Sequence, residues 1–158
     1  MKKFIIIGNM NAITYKEIFP LLKDNKVRLG YSKIKTFCTR TGTKDFGNVG
    51  WYTTLPVEKK TLTLTSTYDP DKYPKYDNYD AIDCGKVAEI PMDYNGVIGV
   101  PITFLDKYCP EQFEIIGATE SEGKGFSNGL WDEKSGVAQA LVKGQRVYKR
   151  IFIRKRTA

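Results

Sequence analysis

The sequence predicts an α/β fold, and three observations carry that prediction. An apolar run, Phe4-Ile5-Ile6-Ile7, ends in Gly8-Asn9, the pattern of a parallel strand covered on both faces that turns directly into a helix. Helix signals follow at residues 14–23, and a second β-rich run at 27–31 completes a strand, helix, strand unit. Farther along, short apolar or alternating runs are separated by Gly- and Pro-containing turns, which adds β-hairpins and long loops to that core. Because almost nothing precedes the first strand, two readings fit it. Either it lies at the edge of a small mixed sheet, or the chain is the back part of a larger α/β enzyme.

Each element has a local cause. Thr14-x-x-Glu17 reads as a capping box, with Ile13 and Ile18 as its hydrophobic staple, so a helix is expected at 14–23. Pro20 removes a backbone donor beyond the first turn, which predicts a short or kinked helix. Residues 23–48 carry Lys23, Lys26, Arg28, Lys33, Lys35, Arg40 and Lys44 against Asp24 and Asp45, forming a basic arm. Residues 51–55 and 61–65 are β-rich, the second with clean alternation, and are expected to pair. Residues 68–93 mix Asp, Glu, Pro and four tyrosines, which predicts an irregular loop pinned by its rings. Strands are expected at 97–101 and 112–118, with a helical turn at 103–108 between them. A turn-rich surface excursion spans 117–136. The final run, 146–156, alternates Arg146, Tyr148, Arg150, Phe152, Arg154 and Arg156 against Val147, Ile151 and Ile153.

Composition bounds the chemistry. A chain of 158 residues with 41% hydrophobic content fits one domain and can bury about two thirds of its unfolded surface. The formal charge of +7 fits a polyanionic partner, and equally a small protein that binds nothing acidic. Cys38, Cys84 and Cys109 are odd in number and never in a C-x-x-C pair, so they read as reduced thiols of a cytoplasmic protein. The chain holds no histidine, which removes Ser-His-Asp and Cys-His nucleophile chemistry and every histidine-ligated metal site. The first apolar run is too short for a secretory segment, and no run is long enough to cross a bilayer.

Asn9 and Asn11 stand just past the carboxyl end of the first strand, where open α/β sheets place ligands. The competing reading is local: Asn9 takes a left-handed turn and Asn11 caps the next helix. Phe46-Gly47-Asn48-Val49-Gly50 has the wrong spacing for a nucleotide loop, and neither G-x-G-x-x-G nor G-x-x-x-x-G-K-[ST] occurs. Asp69, Asp71 and Asp77 lack the glycine and terminal glutamate of a calcium loop and read as solvated carboxylates, so no metal site is expected. The basic arm with Trp51, and the Arg/Tyr/Phe face of the last run, pair phosphate-neutralising cations with stackable rings, as nucleic-acid grooves do. For the last run, a solvated edge strand protected by its charge fits as well.

Three long phrases carry a resemblance: Lys3-Phe4-Ile5-Ile6-Ile7-Gly8-Asn9-Met10-Asn11-Ala12-Ile13-Thr14-Tyr15-Lys16-Glu17, Tyr73-Pro74-Lys75-Tyr76-Asp77-Asn78-Tyr79-Asp80-Ala81-Ile82, and Gly99-Val100-Pro101-Ile102-Thr103-Phe104-Leu105-Asp106-Lys107-Tyr108 with the following Pro110-Glu111-Gln112-Phe113-Glu114-Ile115-Ile116-Gly117. Over most of its length the chain resembles the EcoRI-type adenine-specific DNA methyltransferase family. The resemblance implies the C-terminal part of a Rossmann-like sheet that uses S-adenosylmethionine, with the first strand as the fifth of that sheet. It divides one partial domain, 1–158, into a strand-helix-strand core at 3–31, a DNA-contacting arm and tyrosine-rich loop at 32–95, and closing strands at 96–158. Family members carry a glycine-rich cofactor loop and an Asn/Asp-Pro-Pro-aromatic motif that acts on a flipped adenine. This chain has no Pro-Pro at all.

The resemblance therefore implies no catalytic residue in this chain and no binding of S-adenosylmethionine by it alone. Asn9 and Asn11 are expected at the rim of the substrate and cofactor pocket. Lys33, Lys35, Arg40, Lys44, Trp51, Lys75, Tyr76 and Asn78 are expected to contact double-stranded DNA. The expected partners are DNA and an upstream methyltransferase half, with no membrane. Two other readings stay open: a non-catalytic DNA-binding module derived from such an enzyme, and a small cytoplasmic protein with no DNA role.

Overall fold

The structure, a computed structural model, describes every residue except 31, 34, 120–125, 134–135 and 158. The chain divides into two compact units, Met1–Glu58 and Lys59–Ala158. The boundary falls inside the 32–95 stretch that the sequence reading kept together.

In the first unit, β1 (Ile5–Asn9) runs into a 3₁₀ helix (Met10–Thr14), then α1 (Phe19–Lys23) and β2 (Arg28–Leu29). A hairpin of β3 (Thr36–Thr39) and β4 (Gly42–Asp45) precedes β5 (Val49–Thr53). The three-stranded sheet has the order β1-β5-β2, with β5 antiparallel to both neighbours. Consequently β1 and β2 run parallel to each other, joined by a helical crossover, with β5 inserted between them. The strand-helix-strand order matches the sequence reading, but β1 is neither paired to a parallel strand nor buried. Ile5, Ile6 and Ile7 are 58%, 52% and 44% exposed, because β1 is an edge strand.

The capping box does not form. Thr14 Oγ1 donates to Asn11 O at 3.3 Å, and Ile18, with no side-chain cap, stands before α1. Pro20 lies in the first turn of α1, where its missing N–H is tolerated, and the helix is five residues long.

The second unit holds a four-stranded sheet in the order β6-β7-β11-β8, from β6 (Ile82–Asp83), β7 (Ile98–Pro101), β8 (Phe113–Ala118) and β11 (Arg150–Lys155). Only β6 and β7 pair in parallel. A small hairpin, β9 (Leu141–Val142) and β10 (Gln145–Arg146), lies between β8 and β11 in the chain. The last strand is thus shorter than the alternation suggested and central instead of at an edge. Ile151, Phe152 and Ile153 are fully buried. The Phe152 ring lies 4.7 Å from Tyr79 and 6.0 Å from Tyr76, so the tyrosine-rich loop is part of the core.

Residues 61–65 form no strand, and their expected pairing with 51–55 is absent. The side-chain amide of Gln112 takes the place of a neighbouring strand there: its Oε1 accepts from Leu62 N at 2.7 Å and its Nε2 donates to Leu62 O at 2.7 Å. The helical turn expected at 103–108 is a 3₁₀ helix, Ile102–Lys107. Part of the 117–136 excursion falls outside the described residues. Within it, Phe126 O accepts from Ala118 N at 2.9 Å and packs so closely over Gly117 that only glycine fits. Taken together, these small sheets are compatible with an α/β fold and are mostly antiparallel.

Candidate nucleic-acid interface

The β3–β4 hairpin projects its side chains into solvent: seven of its eight strand residues are exposed and Phe37 is half-buried. Its register pairs Phe37 with Lys44, and Phe46 N donates to Lys35 O at 2.8 Å, extending the ladder by one step. Alternation of the pleat then puts Lys35, Phe37, Lys44 and Phe46 on one face, with Thr36, Cys38, Thr43 and Asp45 on the other. The two rings meet edge to face at 5.4 Å between centroids, and the Lys44 ammonium stands 5.3 Å from the Phe46 ring. Thr36 Oγ1 donates to Asp45 Oδ1 at 2.6 Å, which holds the acidic group on the opposite face. Arg40 occupies the exposed turn at the tip, and Lys33 lies exposed just before the hairpin. The structure therefore brings Lys35 and Lys44 together with two rings that composition alone did not single out.

Trp51 sits elsewhere in the same unit. It faces Ile7 across the β1–β5 pair, half-buried, and Gly30 passes close against its Cβ.

At the end of β1, Asn9 closes the strand and starts the 3₁₀ helix. Its Oδ1 accepts from Asn11 N at 2.8 Å and from Asn48 Nδ2 at 3.2 Å. Asn9 is therefore the cap, in extended backbone conformation, where the local reading gave the cap to Asn11 and a left-handed turn to Asn9. Asn48, which lies in the segment with the wrong nucleotide-loop spacing, joins this group, and its carbonyl accepts from Met10 N at 3.0 Å. Tyr52 Oη donates to Asn9 O at 2.7 Å, its ring lying over Gly8, where a Cβ would stand 2.9 Å away. Burial, and less strongly the neighbouring Tyr15, push the Tyr52 phenol up to about 12. The sequence signal that could have found Asn48 and Tyr52 is the register β5 must adopt against β1.

In the second unit, Tyr76 and Asn78 are buried, 4% and 0% exposed. Tyr76 Oη donates to Asp83 Oδ1 at 2.5 Å, and the Arg150 Nε donates to the same oxygen at 2.9 Å. Desolvation, reinforced by Asp83, holds the Tyr76 phenol well above its ordinary range. Asn78 Nδ2 donates to Val137 O and Gln139 O, while its Oδ1 accepts from Leu141 N at 3.0 Å. These two side chains brace the fold from inside. Lys75 is exposed and paired with Asp80 at 3.0 Å, an interaction that raises its pKa. It borders a 710 Å³ cleft lined also by Asp77, Asp80, Asp132 and Glu133, a charge balance unsuited to phosphate.

All three cysteines are free, with Cys84 pushed up to about 11 by burial. Among the described residues, no group of three His, Cys, Asp or Glu could hold a metal ion, and no helix is long and apolar enough to cross a membrane.

The first unit of this mixed α/β chain thus carries an exposed basic and aromatic hairpin and a polar cluster at the carboxyl end of β1. The chain belongs to the EcoRI-type adenine-specific methyltransferase family: the family model described as Adenine-specific methyltransferase EcoRI matches residues 1–156. It is 41% identical to the Type II methyltransferase M.EcoRI of Escherichia coli, over 98% of this chain and 51% of that protein. It is 32% identical to M.MgeORF184P of Mycoplasma genitalium and 31% to M.MpnI of Mycoplasma pneumoniae, both Type II methyltransferases, over 98% of this chain and 57% of each relative. The chain thus spans little more than half the length of these relatives. No solved structure matches it.

Proposed function

We propose that this chain supplies the DNA-contacting part and the back of the active site of a site-specific DNA adenine-N6 methyltransferase of the restriction-modification type. The observation that carries the reading is the arm face, where Lys35 and Lys44 flank the Phe37–Phe46 pair on an exposed hairpin. Such a face neutralises phosphate with its cations and offers rings to sugar or base. Lys33 and Arg40 extend the positive surface along and beyond the hairpin. Trp51 and Lys75 are weaker members, the first for its place inside the sheet and the second for its pairing with Asp80. Tyr76 and Asn78 act indirectly, by fixing the loop that precedes β6.

S-adenosylmethionine supplies the methyl group in this reading. The described residues do not fit it by themselves: the end of β1 offers Asn9, Asn11 and Asn48, whose mutual hydrogen bonds form a cap, and the sequence has no glycine-rich loop or Pro-Pro motif. Asn9 and Asn11 stand at the rim of the pocket, and a second polypeptide segment brings the cofactor loop and the catalytic motif. The bare edge of β1 supports that division of labour, because Ile5, Ile6 and Ile7 expose apolar surface on both faces of a strand with one paired side.

The test is a titration of duplex DNA at several salt concentrations with the wild-type chain and the Lys35→Glu/Lys44→Glu variant. Binding that weakens steeply with salt, and a slope reduced by about two in the variant, are expected. Flat, weak binding in both would overturn the reading and leave a cytoplasmic protein with no DNA role. Calorimetry with S-adenosylmethionine is expected to show no binding to the chain alone. Methyl transfer that appears only when a relative's N-terminal half is added separates the split-enzyme reading from a purely non-catalytic DNA-binding module.

A further inference from the structure

The β3–β4 hairpin is exposed on both of its faces, whereas a ribbon packed against its own unit would bury one of them. Residue types also change along its length. The base, at 35–37 and 44–46, carries Lys35, Lys44 and the two rings, together with Asp45, the hairpin's one carboxylate, which accepts from Thr36 Oγ1. The far end, residues 38–43, is small and polar, with Arg40 as its single charge. Thr39 pairs with Gly42, so Arg40 and Thr41 form a two-residue turn at the tip. Thr39 Oγ1 donates to Gly42 O at 2.9 Å and lies 3.4 Å from Thr41 Oγ1, while Gly42 holds a φ of 136° that favours glycine. These contacts brace the turn that carries Arg40.

The dimensions of the hairpin match one groove of duplex DNA. A two-stranded ribbon with side chains on both faces is about 10 Å thick. That fits a major groove about 12 Å wide and exceeds a minor groove of about 6 Å. Depth agrees with width. The Phe37–Lys44 pair lies two residues behind the Thr39–Gly42 pair, and the turn extends one step farther, which places Lys44 about 10 Å behind the tip. The major groove is about 8.5 Å deep, so a tip at its floor leaves Lys44 and Lys35 level with the phosphates at its rim.

We propose that the β3–β4 hairpin enters the major groove and that Arg40 at its tip reads a base there, with guanine as the base its guanidinium fits. The inference rests on the DNA reading given above and deepens it by dividing the arm in two: Lys35 and Lys44 hold the backbone, and the tip determines sequence. Guanine offers two acceptors, O6 and N7, side by side in the major groove, and the planar fork of arginine donates to both at once. The tip brings no second charge that would bind phosphate without regard to sequence.

The experiment selects duplexes from a randomised pool with the full chain, then measures their affinity by fluorescence anisotropy across a salt series. The wild-type chain is expected to enrich a sequence containing a guanine, and Arg40→Gln to lose that enrichment. Arg40→Gln should bind the selected duplex about ten- to a hundredfold more weakly, whereas Lys35→Glu/Lys44→Glu should weaken selected and unselected duplexes alike. Replacing the selected guanine by 7-deazaguanine removes the N7 acceptor from the major groove, and should weaken the wild type with no further effect on Arg40→Gln. Cys38 is exposed, one step from the tip, while Cys84 and Cys109 are buried, so alkylation of Cys38 by N-ethylmaleimide should slow several-fold on the selected duplex. Salt-dependent binding with no enriched sequence, or with Cys38 labelled as fast as in the free chain, would overturn the tip reading and leave the arm as a phosphate contact. An equal loss on selected and unselected duplexes in Arg40→Gln would do the same. A wild-type chain that binds no duplex overturns the DNA reading and the tip with it.

Discussion

Ile5-Ile6-Ile7 and Ile151-Phe152-Ile153 are equally apolar triplets on strands of similar length, yet the first is about half exposed and the second fully buried. The difference lies in their neighbours. The second triplet sits between β7 and β8 under the Tyr76 and Tyr79 rings, whereas the first has a strand on one side only. Hydrophobic sequence makes a strand; a sheet on both sides and a layer above decide whether it becomes core. The first unit therefore leaves apolar surface of this strand in solvent, while the second encloses its own.

The sharpest way to break this comparison is a pair of truncations. Phe152→Ala should destabilise the second unit by about 4 kcal/mol, since it removes a fully buried ring and leaves a cavity. Ile6→Ala should change the unfolding free energy of the lone chain by less than about 0.5 kcal/mol, as expected for an exposed position. Denaturant unfolding followed by tryptophan fluorescence checks both. A comparable loss from Ile6→Ala would mean that β1 is already covered in the free chain.

Charge makes the same contrast. Arg150 and Asp83 pair at 2.9 Å with both side chains nearly enclosed, so Arg150→Ala should cost about 3 kcal/mol by leaving a carboxylate without its partner. The exposed pair Lys16–Glu17 of the first unit, at 3.6 Å, should be worth about 0.5 kcal/mol or less. A double-mutant cycle on each pair separates coupling from truncation.

Glycines sharpen the comparison further. At Gly117 the obstacle to a side chain is the backbone carbonyl of Phe126, which cannot swing away, so Gly117→Ala should cost about 2 kcal/mol. At Gly50 the obstacle is the tip of the Met10 side chain, which can change rotamer, and Gly50→Ala should cost under about 1 kcal/mol. Thermal melting orders the two.

What the sequence made legible follows the same division. The strands near residues 98–101 and 113–118, the short helix at Pro20 and the tyrosine-pinned loop are locally encoded, and each is found close to its expected place. Burial was not legible, because it depends on strand order: the same alternation that put Arg150 on a solvent face turns it toward Asp83 once β11 is central. Tyr76 and Asn78 look like surface hydrogen-bonding groups in a polar loop, and only the long-range contacts to Asp83 and to residues 137–141 show them to be internal. Lys35 and Lys44 were visible as charge, while Phe37 and Phe46 needed the hairpin register to join them.

The smallest effect compares two tyrosine hydroxyls that anchor the units. Tyr52 Oη donates to Asn9 O in the first unit and Tyr76 Oη to Asp83 in the second. Burial raises the Tyr52 phenol from its ordinary value of 10.0 to about 12. A raised phenol favours the neutral form in the fold, so its contribution is fully present below pH 10 and is lost as pH climbs through 12. Tyr52→Phe should cost about 1 kcal/mol at neutral pH, the worth of one hydrogen bond. It should also abolish the part of the alkaline unfolding that belongs to the first unit. Alkaline titration by ultraviolet absorbance, read beside circular dichroism, checks the assignment: Tyr76, enclosed against a carboxylate, should ionise only as the second unit unfolds, and its ionisation at pH 10 in a folded chain would show that its ring is not enclosed.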